Sequence, residues 1–232
     1  MELEKNLLTV KSKIREVCSR VDRDPDEIKI IAVSKTFPFS RIIELNTTGH
    51  EDFGENRIRE LRDKYYNIAF QYSGKISWHF IGHLQTNKVK DIIAFISLIH
   101  SVDSFKLAEE IDNNAKKIKR TIEILIQVNT SNEPQKYGIH ISEAASLCKQ
   151  ISLLENVRVK GLMTMAKLTD DQEVIRSSFR SLKKLYDELK PDMNDFEFLS
   201  MGMSNDYEIA IEEGANMIRI GSAIFGERPV LV

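Results

Sequence analysis

The chain has 232 residues and a mass of 26.7 kDa, a length that a single α/β barrel commonly fills. Its 42% hydrophobic and 29% charged residues are typical of a globular domain and exclude a disordered or collagen-like chain. Thirty-three Lys and Arg against thirty-five Asp and Glu give a net charge of −2. This balance excludes a basic surface that would recruit nucleic acid or anionic lipid. We therefore expect one domain, residues 1–232, with a small molecule as its partner.

Cysteine usage and the apolar segments predict the cellular compartment. Cys18 and Cys148 form no CxxC pair, which is typical of free thiols in a reducing cytosol. The first residues lack a basic stretch followed by an apolar core, and the most apolar stretch, 92–99, is far shorter than the ~20 residues that span a bilayer. We predict a cytoplasmic protein with no membrane association.

The first predicted element is an amphipathic helix at about residues 2–20. Apolar residues recur there every three or four positions, and the pattern stops before Asp24-Pro25. We expect this helix to brace the domain from outside.

Short β-branched runs then alternate with helical patterns, as in repeated βα units. Eight strands are predicted at 28–34, 51–54, 78–82, 98–102, 122–129, 157–163, 197–200 and 216–221. Helices are predicted between them at 40–47, 56–69, 87–95, 104–118, 142–153, 170–189 and 204–213. The pattern favours a (β/α)8 TIM barrel with an extra N-terminal helix. The alternative is a doubly wound open sheet, which would lack the Gly-x-Gly-x-x-Gly turn of its dinucleotide-binding form.

Lys35 is the first candidate for chemistry, because it directly follows the apolar strand at 28–34. Barrel enzymes place their ligands at the carboxyl ends of the strands. A lysine crowded by apolar neighbours there has a lowered pKa and supplies the neutral amine that condenses with an aldehyde. We interpret Lys35 as a Schiff-base lysine, and the alternative is a solvated surface lysine.

The loops after the seventh and eighth predicted strands are rich in small residues: Ser200-Met201-Gly202-Met203-Ser204 and Gly221-Ser222. These two loops form the usual phosphate site of a barrel, where backbone N–H groups and a helix N-terminus approach the anion. Ser204 also fits the N-cap of the helix at 204–213, with Gly214 closing it. The alternative is that all of these are turn and capping residues.

Arg219 is a charge inside the apolar strand Met217-Ile218-Arg219-Ile220. Alternation places Met217, Arg219 and Gly221 on one face, so Arg219 points into the barrel if the isoleucines face the helices. A buried guanidinium needs a partner, which is either a carboxylate of the barrel or a ring nitrogen of a cofactor.

Six motifs in register resemble those of the pyridoxal phosphate homeostasis protein family, also called the YggS/PROSC family. They are Ala32-Val33-Ser34-Lys35, Phe53-Gly54-Glu55-Asn56, the run from His79 to Lys88, Gly161-Leu162-Met163-Thr164-Met165, the run from Ser200 to Asp206, and the run from Arg219 to Gly226. The resemblance extends from about Ile28 to Arg228. It implies an alanine-racemase-type barrel (PLP fold type III) that carries pyridoxal 5'-phosphate (PLP) in vitamin B6 and amino-acid homeostasis.

The resemblance also implies roles for individual residues. Lys35 matches the lysine that forms a Schiff base with PLP, and Arg219 matches the arginine that faces the pyridine nitrogen. Asn56 lies in the motif that borders the ring. The residues around the phosphate are matched by Ser200, Gly221 and Ser222.

Three functions are consistent with these residues. The first is a monomeric, non-catalytic PLP carrier, with PLP-requiring apo-enzymes as further partners. We favour it because the chain ends soon after the eighth strand, without room for the second domain of a racemase. The second is a PLP-dependent racemase or lyase with Lys35 as one base and His79 or Tyr137 as the other. The third is a cofactor-free Schiff-base aldolase. No metal site is predicted, because His79 and His83 do not share a helical face.

Overall fold

The structure is a computed structural model that describes residues 2–131, 133 and 136–227. Residues 228–232, at the end of the predicted domain, lie outside the described residues. The strands are β1 (Lys29–Val33), β2 (Asp52–Glu55), β3 (Ser77–Phe80), β4 (Ile96–Val102), β5 (Ile122–Asn129), β6 (Ile139–His140), β7 (Val157–Met163), β8 (Phe198–Met203) and β9 (Met217–Ile220).

Helices connect the strands, as the alternating pattern predicted. They are α1 (Glu2–Arg20), α2 (Phe39–Asn46), α3 (Ile58–Gln71), α4 (Phe105–Lys117), α5 (Ile141–Ile151), α6 (Gln172–Leu189), α7 (Tyr207–Glu212) and α8 (Ser222–Phe225). Short 3₁₀ helices lie at Pro25–Glu27, Thr86–Asp91 and Lys190–Asp192. Within the described ranges, no helix is long and apolar enough to cross a membrane.

Eight of the strands form a closed parallel barrel. The order along the sheet is β4, β3, β2, β1, β9, β8, β7 and β5, and β4 pairs with β5 to close it. The two-residue strand β6 pairs only with the end of β5 and lies outside this ring. The predicted (β/α)8 barrel is therefore confirmed, and the open-sheet alternative is excluded by the closing pair.

The N-terminal helix α1 covers the outside of the barrel next to α7 and α8. Its apolar stripe, which includes Leu3, Leu7, Val10 and Ile14, is buried. The amide of Asn6 donates to the carbonyl of Ile224 (2.9 Å), which ties α1 to the last described helix.

One predicted helix was wrong. Residues 87–95 were expected to form an α-helix, but the structure has a 3₁₀ helix at Thr86–Asp91. Val89 and Ile92 are buried, three positions apart, and the amide of Ile92 donates to the carbonyl of Val89 (3.2 Å). This spacing fits a 3₁₀ turn as well as an α-helix. Strand β4 begins at Ile96, two residues earlier than predicted, and leaves no length for a longer helix.

The protein has two buried regions: an apolar core outside the barrel, and a barrel interior that contains both apolar and polar side chains. The large apolar core lies between the strands and the helices. A small apolar cluster lies inside the barrel and consists of Ile31, Leu98, Leu125, Met163 and Met217. Buried polar side chains share this interior, among them His79, His100, Ser200 and Arg219.

Candidate functional site

A cavity of about 780 Å³ opens at the carboxyl ends of the strands, the end where barrels bind their ligands. Of the six residues expected to contact a cofactor, five line it: Lys35, Asn56, Arg219, Gly221 and Ser222. The sixth, Ser200, is not part of this wall. The structure thus brings together residues that are far apart in the chain.

Lys35 lies two residues after the end of β1, at the start of a tight turn. The amide of Phe37 donates to the carbonyl of Ser34 (3.1 Å) and closes this turn. Thr36, between them, has a φ of 71°. A β-branched residue is strained in this left-handed region, and such strain costs about 1–3 kcal/mol and persists only where the surroundings hold it. The chain after Lys35 is therefore held in one conformation by its neighbours.

A buried group of charges, which we call the Lys64 cluster, holds this turn. Lys64 Nζ donates to the carbonyl oxygen of Ser34 (2.8 Å), to Glu55 Oε1 (2.6 Å) and to Glu60 Oε1 (2.7 Å). Glu55 Oε1 also accepts from Ser34 Oγ (2.6 Å), and Glu60 Oε1 accepts from the amide of Thr36 (2.5 Å). All three ammonium protons of Lys64 are used. Burial raises the pKa of Glu55, although Lys64 opposes the shift.

Asn56 follows β2 and contacts the loop after β3 through its backbone. A Cβ atom added to Gly82 would lie 2.1 Å from the carbonyl oxygen of Asn56. Only glycine permits this close approach of two backbones. Gly82 therefore fixes the position of Asn56 at the cavity wall.

Arg219 is 3% exposed, yet its guanidinium reaches the cavity. It donates to Ser200 Oγ (2.7 Å) and to the carbonyl of Thr164 (2.8 Å). Burial lowers its pKa to about 10, so it stays charged at neutral pH. Among the described residues no carboxylate pairs with it within 4 Å. The partners in the structure are neutral oxygens, and its remaining N–H groups are available to a ligand.

The structure places Ser200 in the barrel interior, where it is 0% exposed. Ser200 pairs with Met217, whereas Met203 pairs with Arg219, so a bulge separates the two pairs. Gly202 occupies this bulge with a φ of 93°. Ser200 consequently lies one layer below Arg219 and does not line the cavity. The predicted phosphate role would require it to do so.

Ser204 lines the cavity instead. Its Oγ accepts from the amides of Gly221 (3.2 Å) and Ala223 (3.4 Å), and neither contact uses the hydroxyl proton. The prediction that Ser204 caps a helix at 204–213 was wrong, since α7 begins at Tyr207 after Asp206. The structure therefore places Ser204 at the cavity wall and Ser200 in the barrel interior, whereas the sequence had assigned the cofactor contact to Ser200.

Gly221 and Ser222 complete this side of the cavity. The nearest atoms to a Cβ added at Gly221 belong to Val33, at 3.6 and 3.7 Å. These are ordinary contacts, so the protein itself would tolerate a side chain there. The missing side chain leaves space in the cavity, and the hydroxyls of Ser204 and Ser222 border that space. Small residues, N–H groups and hydroxyls suit a phosphate group.

The two residues considered as a second base lie in different places. His79 is 3% exposed in the barrel interior and is not part of the cavity wall. Tyr137 lines the cavity and stacks on His83, with ring centroids 3.9 Å apart. The neighbouring Lys136 donates to the carbonyl of Ala166 (3.0 Å) and so links two loops at the cavity mouth.

Comparisons with known proteins agree with this geometry. The profile of the family described as alanine racemase, N-terminal domain, matches residues 6–229. The pyridoxal phosphate homeostasis protein of Aquifex aeolicus is 41% identical over 223 residues, 96% of each chain.

Two solved structures are similar in fold. The PLP-bound structure of PipY from Synechococcus elongatus has 32% identity and a TM-score of 0.80, covering 92% of this chain and 100% of that one. Alanine racemase of Clostridium difficile 630 has 17% identity and a TM-score of 0.79, covering 99% of this chain and 60% of the racemase. The racemase shows the fold alone. The chain belongs to the alanine racemase N-terminal domain family and, within it, to the pyridoxal phosphate homeostasis proteins.

Proposed function

We propose that this protein binds PLP in the cavity through a Schiff base with Lys35 and serves PLP and amino-acid homeostasis without robust catalysis. The observation that carries the proposal is the grouping of Lys35, Arg219 and the loop pair of Ser204 and Gly221 around one cavity. The PLP-bound PipY structure and the names of the relatives support it. The proposal includes a monomeric, cytoplasmic protein that supplies PLP-requiring apo-enzymes.

The residues present fit the chemical groups of PLP. PLP supplies an aldehyde that condenses with amines and a ring that acts as an electron sink. Lys35 would hold this group by condensing its amine with the aldehyde, with loss of one water molecule. The space at Gly221, bordered by Ser204 and Ser222, suits the phosphate.

Arg219 supports a role without robust catalysis. As a permanent donor it presents N–H to a ring nitrogen, which then stays unprotonated. An unprotonated ring is a weaker electron sink than one paired with a carboxylic acid. Arg219 therefore suits a protein that holds PLP better than one that stabilises carbanions.

A racemase or lyase is the second candidate, and the position of Tyr137 favours it. Tyr137 and Lys35 both line the cavity, so two groups able to move protons border one ligand site. Tyr137 is 56% exposed and stacks on His83. His79 is removed as the second base because it does not reach the wall.

The absorbance spectrum of the purified protein, before and after addition of PLP, tests the proposal. We expect a visible band that disappears in Lys35→Ala. Lys167→Ala is the matched control, because Lys167 also lines the cavity. We expect this variant to keep the visible band. Wild-type protein that stays colourless with PLP overturns the proposal and favours a cofactor-free aldolase using Lys35.

Steady-state assays separate the carrier from the enzyme. Purified holoprotein is given the isomers of alanine, serine and threonine, and the product isomers are measured. We expect no turnover approaching about 1 s⁻¹, the lower range of ordinary enzymes. A rate at or above this value that is lost in Tyr137→Phe establishes the second candidate.

A further inference from the structure

A chain of buried polar side chains runs through the barrel from its amino end to the cavity. Asp52 Oδ1 lies 3.0 Å from His79 Nε2, and His79 Nδ1 lies 3.0 Å from His100 Nε2. His100 Nδ1 lies 3.3 Å from Ser200 Oγ, which accepts from Arg219 (2.7 Å). We call these five residues the histidine column.

The chemistry of its two ends sets the direction of every hydrogen bond in the column. The Asp52 carboxylate only accepts, so His79 carries its proton on Nε2 and accepts through Nδ1. His100 must then donate from Nε2 and accept through Nδ1, which leaves Ser200 as the donor to His100. Arg219 only donates, and Ser200 Oγ accepts from it. With both rings neutral, each member therefore donates towards Asp52.

Two features agree with this assignment. Lys29 Nζ lies 3.0 Å from Asp52 Oδ1 and keeps the acceptor end of the column charged. Burial lowers the pKa of both His79 and His100, and each ring is then neutral near pH 7. The chain of donors is thus complete from the guanidinium to the carboxylate.

The column occupies space that a barrel ordinarily fills with branched apolar side chains. Its neighbours in the interior are apolar, among them Leu98, Leu125 and Met217. A fully apolar interior would avoid the desolvation of three neutral polar side chains and a guanidinium. The column is therefore a poor means of stabilising the barrel and a good means of fixing one orientation of Arg219.

We propose that His79 and His100 are positioning residues for Arg219, acting through Ser200 to aim its remaining N–H groups at the ring-nitrogen side of PLP. This inference rests on the proposed function for its ligand. Ser200 is a part of this support and not of the phosphate site. Removing a link frees the side of the guanidinium that faces Ser200, while its contact with the carbonyl of Thr164 (2.8 Å) and the position of Lys35 are retained.

The first test uses ligand-free protein and nuclear magnetic resonance. Long-range ¹H–¹⁵N spectra near neutral pH are expected to show Nε2–H on both His79 and His100. An Nδ1–H tautomer or an imidazolium at either ring overturns the proposal. The side-chain N–H exchange of Arg219 is measured in the same samples, and we expect it to accelerate in Ser200→Ala and His100→Phe.

The second test uses PLP-loaded protein. Ser200→Ala removes the hydrogen bond to Arg219, and His100→Phe removes the acceptor that orients Ser200. Both variants are expected to bind PLP about tenfold more weakly and to shift the visible band. His100→Gln, whose amide can both donate and accept, is expected to recover part of this loss. Leu98→Val is the control, since Leu98 lies in the same interior without belonging to the column.

The outcomes separate the two proposals. If the column variants bind PLP and absorb light as Leu98→Val does, the column is only structural and the inference fails while the proposed function stands. If wild-type protein binds no PLP, the proposed function fails. Unchanged exchange of Arg219 in the two variants then refutes the column as well, and accelerated exchange upholds it.

Discussion

Two buried polar assemblies support the cavity, and they are built in opposite ways. The Lys64 cluster, under Lys35, joins an ammonium group to two carboxylates. The histidine column, under Arg219, places three neutral side chains between a guanidinium and a carboxylate. The cluster concentrates charge at one point, whereas the column spreads polarity along the barrel.

The difference shows what each assembly can hold. The Lys64 cluster grips backbone groups, the carbonyl of Ser34 and the amide of Thr36, and so fixes the turn that carries Lys35. The hydrogen bonds between members of the column join side chains only, and they hold the side of the Arg219 guanidinium that does not contact the carbonyl of Thr164. Loss of a residue from the Lys64 cluster leaves a buried charge without its partner. Loss of a neutral residue from the histidine column leaves an uncharged polar group without its hydrogen-bond partner. We therefore expect the cluster to be far more sensitive to substitution.

The largest effect is expected from Lys64→Met. The change leaves Glu55 and Glu60 without their shared cation, and breaking a buried ion pair in this way costs roughly 3–5 kcal/mol. Urea unfolding followed by circular dichroism measures the loss. Lys75→Met is the control, because Lys75 pairs with Glu51 on the surface at side-chain exposures of 78% and 42%. Such surface pairs contribute about 0–1 kcal/mol.

A second variant makes the result specific to charge. Glu55→Gln in the Lys64→Met background removes the buried carboxylate that the first change left unpaired. We expect the double variant to regain part of the lost stability. A loss of stability below about 1 kcal/mol in Lys64→Met, equal to that in Lys75→Met, would show that the buried ion pairs of the cluster contribute no more than a surface pair does.

The next effect is a dependence of stability on pH that arises in the column. Burial holds the pKa of His79 and His100 below the usual value of about 6.5. Between the lowered pKa of each histidine in the folded protein and the value of about 6.5 in the unfolded chain, the unfolded chain binds more protons. The stability is therefore fully present above about pH 6.5 and is lost as the pH falls. The slope reaches about 1.4 kcal/mol per pH unit for each ring that stays neutral. The titratable and charged groups that act on this pair are Asp52, Lys29, His50, Glu123 and Arg219.

Variants assign the slope to its source. Urea unfolding is measured at several pH values between about 7.5 and 5.5. We expect the free energy of unfolding to depend less steeply on pH in His100→Phe than in wild type, by the contribution of one histidine. Leu98→Val is the control, since Leu98 lies in the same interior and has no titratable group, so its slope should equal that of wild type. Equal slopes in wild type and His100→Phe would contradict the neutral column.

The barrel and the wall of its cavity were predictable from sequence because they depend on local patterns. Lys35 was found by its position after an apolar strand, which is a property of one segment. Alternation in Met217-Ile218-Arg219-Ile220 predicted the two faces of β9. In the structure Met217 lies in the interior cluster, and Ile218 and Ile220 lie in the outer core.

The supports beneath that wall were not predictable, because they depend on strand register and tertiary pairing. Ser200 lies in the barrel interior and Ser204 at the cavity wall because of a bulge between β8 and β9, and no feature of the loop sequence indicates the position of this bulge. Lys64 shares the buried face of α3 with Leu61 and Ile68, three and four residues away, but this spacing does not indicate its partners Glu55 and Glu60. His100 did carry a signal, since it interrupts the apolar strand β4 on the same face as Leu98.

The smallest effect is expected at Thr36, and it tests whether the Lys64 cluster holds a strained turn. Thr36→Gly removes a strain of about 1–3 kcal/mol but costs about 0.5–1 kcal/mol in unfolded-state entropy. It also removes a buried hydroxyl that has no hydrogen-bond partner. We expect a net stabilisation of about 1 kcal/mol in urea unfolding. Lys119→Gly is the matched control, because Lys119 has a φ of 54° in an exposed turn and is not β-branched, so its gain should be smaller. A loss of stability in Thr36→Gly would mean that the Thr36 side chain contributes more than its strained backbone costs, and the cluster would then hold a relaxed turn.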